Sequence, residues 1–192
     1  MSSDLLLFFL DGDDLFYPEH LSVCLEAMAA PATGFVKTHV HIADPIHADW
    51  VKPINASLII NFCVRRHCHD MVGGFPDLIL CRRDGGNLLP ETDIFFKFED
   101  MYYNLLITKL FPGVLAPYET VEYLRYPGNS FDRQFEKFQA PMGEWKKPNA
   151  EPDNFRLQLC DAILAHRLHE LRSRYGADER GFLKARQKFE TS

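Results

Sequence analysis

With 192 residues and 46% hydrophobic content, the chain can bury one core and form a single domain, and it is too apolar for disorder to be the default. A formal charge of −6 and a pI near 5.7 argue against a surface that works by neutralising phosphates, so nucleic acid is not an expected partner. No segment approaches the roughly 20 apolar residues that cross a bilayer, and no basic region precedes the first apolar run, so the expectation is a cytoplasmic chain with neither a transmembrane helix nor a secretory signal.

The first element is residues 5–10, LLLFFL, apolar at every position and read as a strand buried on both faces, as inside a parallel sheet. Asp11, Asp13 and Asp14 follow at its carboxyl end, where open α/β sheets bind ligands. One of them, Asp14 or a neighbour, could cap the helix opened by Pro18 and Glu19, but capping needs one carboxylate and three are present. That helix is expected over residues 18–30, with Leu21, Cys24, Leu25 and Met28 on its apolar face and Pro31 ending it.

Strands are expected over residues 35–42 and 56–64, separated by ADPIHADWVKPIN as a proline-punctuated loop. Two further loops follow, GGFPD and one containing Asp84, Gly85, Gly86 and Asn87. Glu99 and Asp100 begin a helix, EDMYYNLLITKLF, that is apolar nearly all round and so should be buried. Acidic residues in a first turn are favoured by the helix dipole whatever else they do. TVEYLRYP reads as a strand, and an irregular stretch leads to about Pro152. Leu157, Cys160, Leu164, Leu168 and Leu171 then mark one stripe of a long helix that Gly176 stops. Arg167, Arg172 and Arg174 near its end read as a solvated face that compensates the dipole.

The five cysteines, Cys24, Cys63, Cys68, Cys81 and Cys160, are odd in number and irregular in spacing, which suits free structural thiols better than a disulfide framework. CVRRHCH, Cys63 to His69, lacks the second paired cluster of a structural zinc site. His39 and His41 alternate along a strand and share a face, which permits joint ligation, although ordinary surface or core histidines account for them as well.

Three segments occur in a telling order: FFLDGDDLFYPEHL, then NFCVRRHCHDMVGGFPD, then FKFEDMYYNLL. Together they resemble the second half of the catalytic domain of inverting glycosyltransferases of family 2, over roughly residues 5–130. The resemblance implies an α/β fold: a partial GT-A (nucleotide-diphospho-sugar transferase-like) mixed sheet flanked by helices, with a C-terminal helical tail. It implies a transferase-like region over residues 1–150 and a helical extension over 151–192 packing on the same domain. The usual N-terminal nucleotide-binding half has no counterpart before Asp11, so the chain alone is expected to be incomplete or inactive.

In that family the aspartate motif holds Mg²⁺ or Mn²⁺ against the diphosphate of a nucleotide sugar, a task for hard carboxylate ligands. The resemblance makes Asp13 the first metal ligand, with Asp11 assisting at the metal or the nucleotide, and Asp100 the general base that takes the proton of an acceptor hydroxyl, on a saccharide, lipid or protein. Glu99 falls on the substrate side with it, and Gly73 and Gly74 would let the backbone approach the acceptor or simply form a tight turn. Many relatives carry a histidine after the arginine of the segment that here reads YLRYPGNS, and Tyr126 takes that place after Arg125.

Two other readings stand beside this one. The opening stretch is also similar to the first motif of haloacid-dehalogenase-type phosphatases, with Asp11 as nucleophile and Asp13 as acid/base, although Leu15 stands where threonine is usual. A non-catalytic binding or assembly remnant of the transferase fold is the third. Because residues 5–10 need cover on both faces, self-association or a missing half-domain at that strand's edge is expected, with the long C-terminal helix as the competing internal cover.

Overall fold

The computed structural model describes residues 5–75, 99–127, 132, 135–144 and 154–184. Its strands are β1 (Leu6–Phe8), β2 (Leu15–Phe16), β3 (Phe35–Ile42), β4 (Phe62–Arg65) and β5 (Gly113–Tyr123), which form one mixed sheet in the order β1-β4-β3-β5-β2. β3 and β5 are parallel and every other neighbouring pair is antiparallel. Six helices accompany them among the described residues: α1 (His20–Ala27), α2 (Ala48–Ser57), α3 (Arg66–Val72), α4 (Glu99–Leu110), α5 (Phe135–Gln139) and α6 (Asn154–Tyr175). The α/β class and the mixed sheet flanked by helices are as expected.

The sheet is curled rather than open. β1 and β2 lie on opposite edges of five strands, which laid flat would separate them by about 19 Å. Yet the rings of Phe8 on β1 and Phe16 on β2 have centroids 6.5 Å apart. His20, at the start of α1, fills the space between these edges: its ring stacks on Phe16 at 4.1 Å, meets Phe8 edge-on at 5.6 Å and shares a 2.7 Å hydrogen bond with the Thr120 hydroxyl. The loop joining β1 to β2, which carries the aspartates, therefore bridges the mouth of the curl.

Helices cover both faces. On one, Cys24 of α1 and the C-cap residue Met28 pack against Val36, Cys63 and Ala116. On the other, Tyr103, Leu106, Ile107 and Leu110 of α4 and Leu164, Leu168 and Leu171 of α6 close over Val40, Phe62, Val64 and Val121. Trp50, Ile54 and Phe138 form a smaller cluster that ties α2 to α5. Cys24, Cys63 and Cys68 are buried free thiols, in keeping with structural roles; Cys81 lies outside the described residues, as do the side chains of Leu157 and Cys160.

Several expectations are corrected. The run 5–10 does not form a central parallel strand: only Leu6–Phe8 is extended, at the sheet edge, antiparallel to β4, and Leu5 and Leu10 are 65% and 46% exposed. An apolar run reports what its side chains prefer, not whether neighbours arrive on both faces. α1 is shorter than 18–30 and buries His20 and Cys24 while exposing Leu21 and Leu25, because His20 finds partners between the sheet edges that compensate its polar ring. Asp14 does not cap it: the N-cap is Glu19, with no side-chain bond.

The proline-punctuated loop is instead α2. His47 accepts a bond from the Asp49 amide, and Trp50 and Ile54, one turn apart, reach the core. Pro53 costs this helix about 3 kcal/mol. Burying Trp50 and Ile54 contributes on the order of 1.5–3 kcal/mol each and outweighs it. α2 thereby takes the first residues of the strand expected at 56–64, and β4 begins only at Phe62. The last strand starts earlier than TVEYLRYP, at Gly113, and α5 interrupts the stretch expected to be irregular.

α4 and α6 form where expected, and α6 ends at Gly176, whose φ of 74° is the left-handed conformation of a helix stop. Its arginines do more than face water. Arg172 donates to Gly181 O and Lys109 O, and Arg167 donates to Val72 O at 3.1 Å, stapling α6 to the ends of α4 and α3. The loop with Asp84, Gly85, Gly86 and Asn87 lies outside the described residues.

Candidate metal and acceptor site

The chain turns between β1 and β2 by an Asp14 N–H bond to Asp11 O at 3.2 Å, and a β-carbon added to Gly12 would meet no atom of the described residues within 4 Å beyond its chain neighbours. The turn gathers Asp11, Asp13 and Asp14 so that one ligand oxygen from each lies within 4.8 Å of the others. Asp11 and Asp13 are exposed, whereas Asp14 is buried at 5% and accepts a 2.9 Å bond from the Leu124 amide at the end of β5. Asp14 is the member that spacing alone did not assign; the third carboxylate in DGDD was its only signal in the sequence.

Electrostatics mark the cluster as strained. Partial desolvation by the surrounding protein, then the charge of Asp13, hold the exposed Asp11 carboxyl above its usual range. Burial pushes Asp14 up to about 6, with Asp13 and Asp11 adding to it and the Leu124 amide opposing. Asp100, on the first turn of α4, is also held up, by burial first, then by Asp11 and by Glu99. Asp11, Asp13 and Asp14 thus form one cluster, and Asp100 lies within reach of the Asp11 charge.

The Asp13 carboxylate is the first cause of the raised pKa of the Tyr126 phenol, with Asp14 and Asp11 adding to it. The segment bearing Tyr126 is pinned by Arg125, which pairs with Asp44 at 2.7 Å and Asp132 at 2.9 Å and lies 3.8 Å over the Phe135 ring.

Gly73 and Gly74 end α3 with φ of 88° and 74°, so the tight-turn role is real. A β-carbon on Gly73 would lie 3.4 Å from Arg167 Nη2, and one on Gly74 would lie 3.4 Å from the His69 ring. His69 Nδ1 shares a 2.9 Å hydrogen bond with the hydroxyl of Tyr103, one turn after Asp100 on α4. Burial lowers the His69 pKa and raises that of Tyr103, so both groups are neutral near pH 7. The glycine turn is thereby coupled to the helix that carries Asp100.

What these features define is a mixed α/β protein whose curled sheet holds a carboxylate cluster at its mouth, chemically suited to a hard divalent cation. No protein-family model matches the chain, and no curated protein matches it. No helix among the described residues is long and apolar enough to cross a membrane.

Proposed function

We infer that the chain carries the metal and acceptor side of a glycosyl-transfer site of the GT-A, family 2 type, moving a sugar from a nucleotide diphosphate to an acceptor hydroxyl with inversion. The observation that carries this reading is the union of the Asp11–Asp13–Asp14 cluster with Asp100: residues far apart in sequence are close enough that Asp11 shifts the Asp100 carboxyl.

Asp13 and Asp11 would hold Mg²⁺ or Mn²⁺, with Asp14 as the third donor, and carboxylate oxygens fit either ion. When bound, the ion would neutralise the charge that develops on the departing diphosphate. Asp100 receives the proton of the acceptor hydroxyl, a role its raised pKa favours by bringing its basicity closer to neutral pH. Attack from the face opposite the leaving group then inverts the anomeric carbon. The outer edge of β1, beside exposed Leu5 and Leu10, is the place for a second copy or a nucleotide-binding half-domain in this reading. The phosphatase alternative draws less support, because Leu15 stands where threonine is usual in its first motif.

Calorimetry with Mn²⁺ tests the reading. The parent chain is expected to bind Mn²⁺ at one site that uridine or guanosine diphosphate tightens, and Asp13→Ala to lose it. Equal affinity in both proteins removes the metal role, and with it the transferase reading.

A further inference from the structure

Phe75 follows directly on the Gly73–Gly74 turn and is 38% exposed. A single exposed phenylalanine needs no explanation. This one, however, is rigidly mounted: its ring stacks on Tyr103 at 4.4 Å and 22°, and Phe9 meets it edge-on at 5.6 Å and 81°. Phe9 in turn packs on Tyr103 at 5.5 Å, and Tyr103 is completely buried and hydrogen-bonded to His69. The exposed ring is thus the outermost member of an aromatic stack whose inner members are fixed in the core.

Its position is as informative as its mounting. Phe9 lies two residues before Asp11, and Tyr103 lies three residues after Asp100, a spacing that places those two on neighbouring positions of one helix face. The aromatic stack is therefore mounted on the same two segments that carry Asp11 and Asp100. Both glycines of the turn have positive φ, and the Phe75 that follows them reaches Tyr103.

We propose that Phe75 is the floor of a saccharide subsite, on which the C–H face of a pyranose ring stacks. A pyranose with equatorial substituents presents axial C–H bonds on its faces and hydroxyls around its rim. The first suit an aromatic plane, and the second suit the hydrogen-bond acceptors of Asp100 and its neighbours. Resting on the transferase reading, this assigns the acceptor as a sugar rather than a protein or lipid hydroxyl.

The test is saturation-transfer NMR on the full chain with methyl β-D-glucopyranoside and methyl β-D-galactopyranoside, beside Mn²⁺ calorimetry. Transfer to the axial ring protons is expected in the parent. Phe75→Ala should weaken that binding about tenfold, and Phe75→Trp should retain it. Mn²⁺ affinity and thermal midpoint should stay at parental values in both. Unchanged sugar binding in Phe75→Ala, or no transfer to either glycoside from the parent, overturns the subsite. Because the metal arm is read separately, loss of the transferase reading shows as an absent Mn²⁺ site and failure of the subsite as an absent sugar signal.

Discussion

The Asp14 carboxylate accepts the Leu124 amide at 2.9 Å, joining the acidic loop after β1 to the far end of β5. The residue that completes the cluster is thus also the one that locks it in place. The two roles can be separated, since Asn keeps an acceptor oxygen and loses the charge. Asp14→Ala should lower stability in urea by about 1–2 kcal/mol, the cost of an unpaired amide. Asp14→Asn should hold or gain stability while Mn²⁺ affinity falls. An Asn variant that binds Mn²⁺ like the parent takes Asp14 out of the ligand set.

Proton competition gives the metal site a pH signature. Asp14 releases its proton near 6 in the folded chain, against 3.8 as the ordinary value. Mn²⁺ affinity should therefore rise about tenfold from pH 5 to pH 7 and then level off. For the metal-free protein the sign is opposite. The folded state binds the extra proton between 3.8 and about 6, so stability from this group falls as pH rises through that window and the loss is complete above it. Isothermal titrations and urea melts at stepped pH read both, and an affinity flat across pH 5–7 contradicts the assignment.

Lys37 supplies a second pH dependence, away from the site. Its ammonium is buried and donates at 2.7 Å to both Ala56 O and Leu58 O at the end of α2, while burial lowers its pKa to about 7 from 10.5. Between those values the unfolded chain binds the proton and the folded one does not, so stability should climb as pH rises from about 7 to 10.5. The two carbonyls favour the charged form and soften the effect. Lys37→Met should flatten the climb. The same slope in parent and variant would show that Lys37 stays protonated when buried.

Gly113 opens β5 directly against the ring of Phe35, where an added β-carbon would overlap it. Gly113→Ala should cost about 1–3 kcal/mol of stability. Less of that loss should appear in a Phe35→Leu background, because the clash is shared by the pair. Additive losses in the double variant would place the cost elsewhere.

For the chemistry, Asp100→Asn keeps shape but not basicity. In an assembly that turns over a nucleotide sugar, its rate should drop by about 10² or more with donor affinity little changed. Retained turnover returns Asp100 to the favourable interaction any first-turn acid makes with a helix dipole.

The sequence by itself determined the strongly periodic and punctuated elements: β3 from its β-branched run, α4 from an apolar segment opened by Glu99 and Asp100, and α6 with its stop at Gly176. It also made Asp11, Asp13 and Asp14 stand out as more carboxylates than one helix cap needs, whereas Asp100 was marked only by the resemblance to the transferase family. Only the tertiary structure decided which faces are covered. Whether LLLFFL runs through a sheet or along its edge depends on strands from elsewhere in the chain, and its own apolarity is the same in both cases. α2 likewise exists because Trp50 and Ile54 have a core to enter, a gain that no local propensity records. The links around the acidic cluster, the bond of Asp14 with Leu124 and the charge influence of Asp13 on Tyr126 and of Asp11 on Asp100, join residues far apart in sequence. Such pairs leave no periodicity and no spacing, so they become legible only once the sheet has curled and brought its edges together.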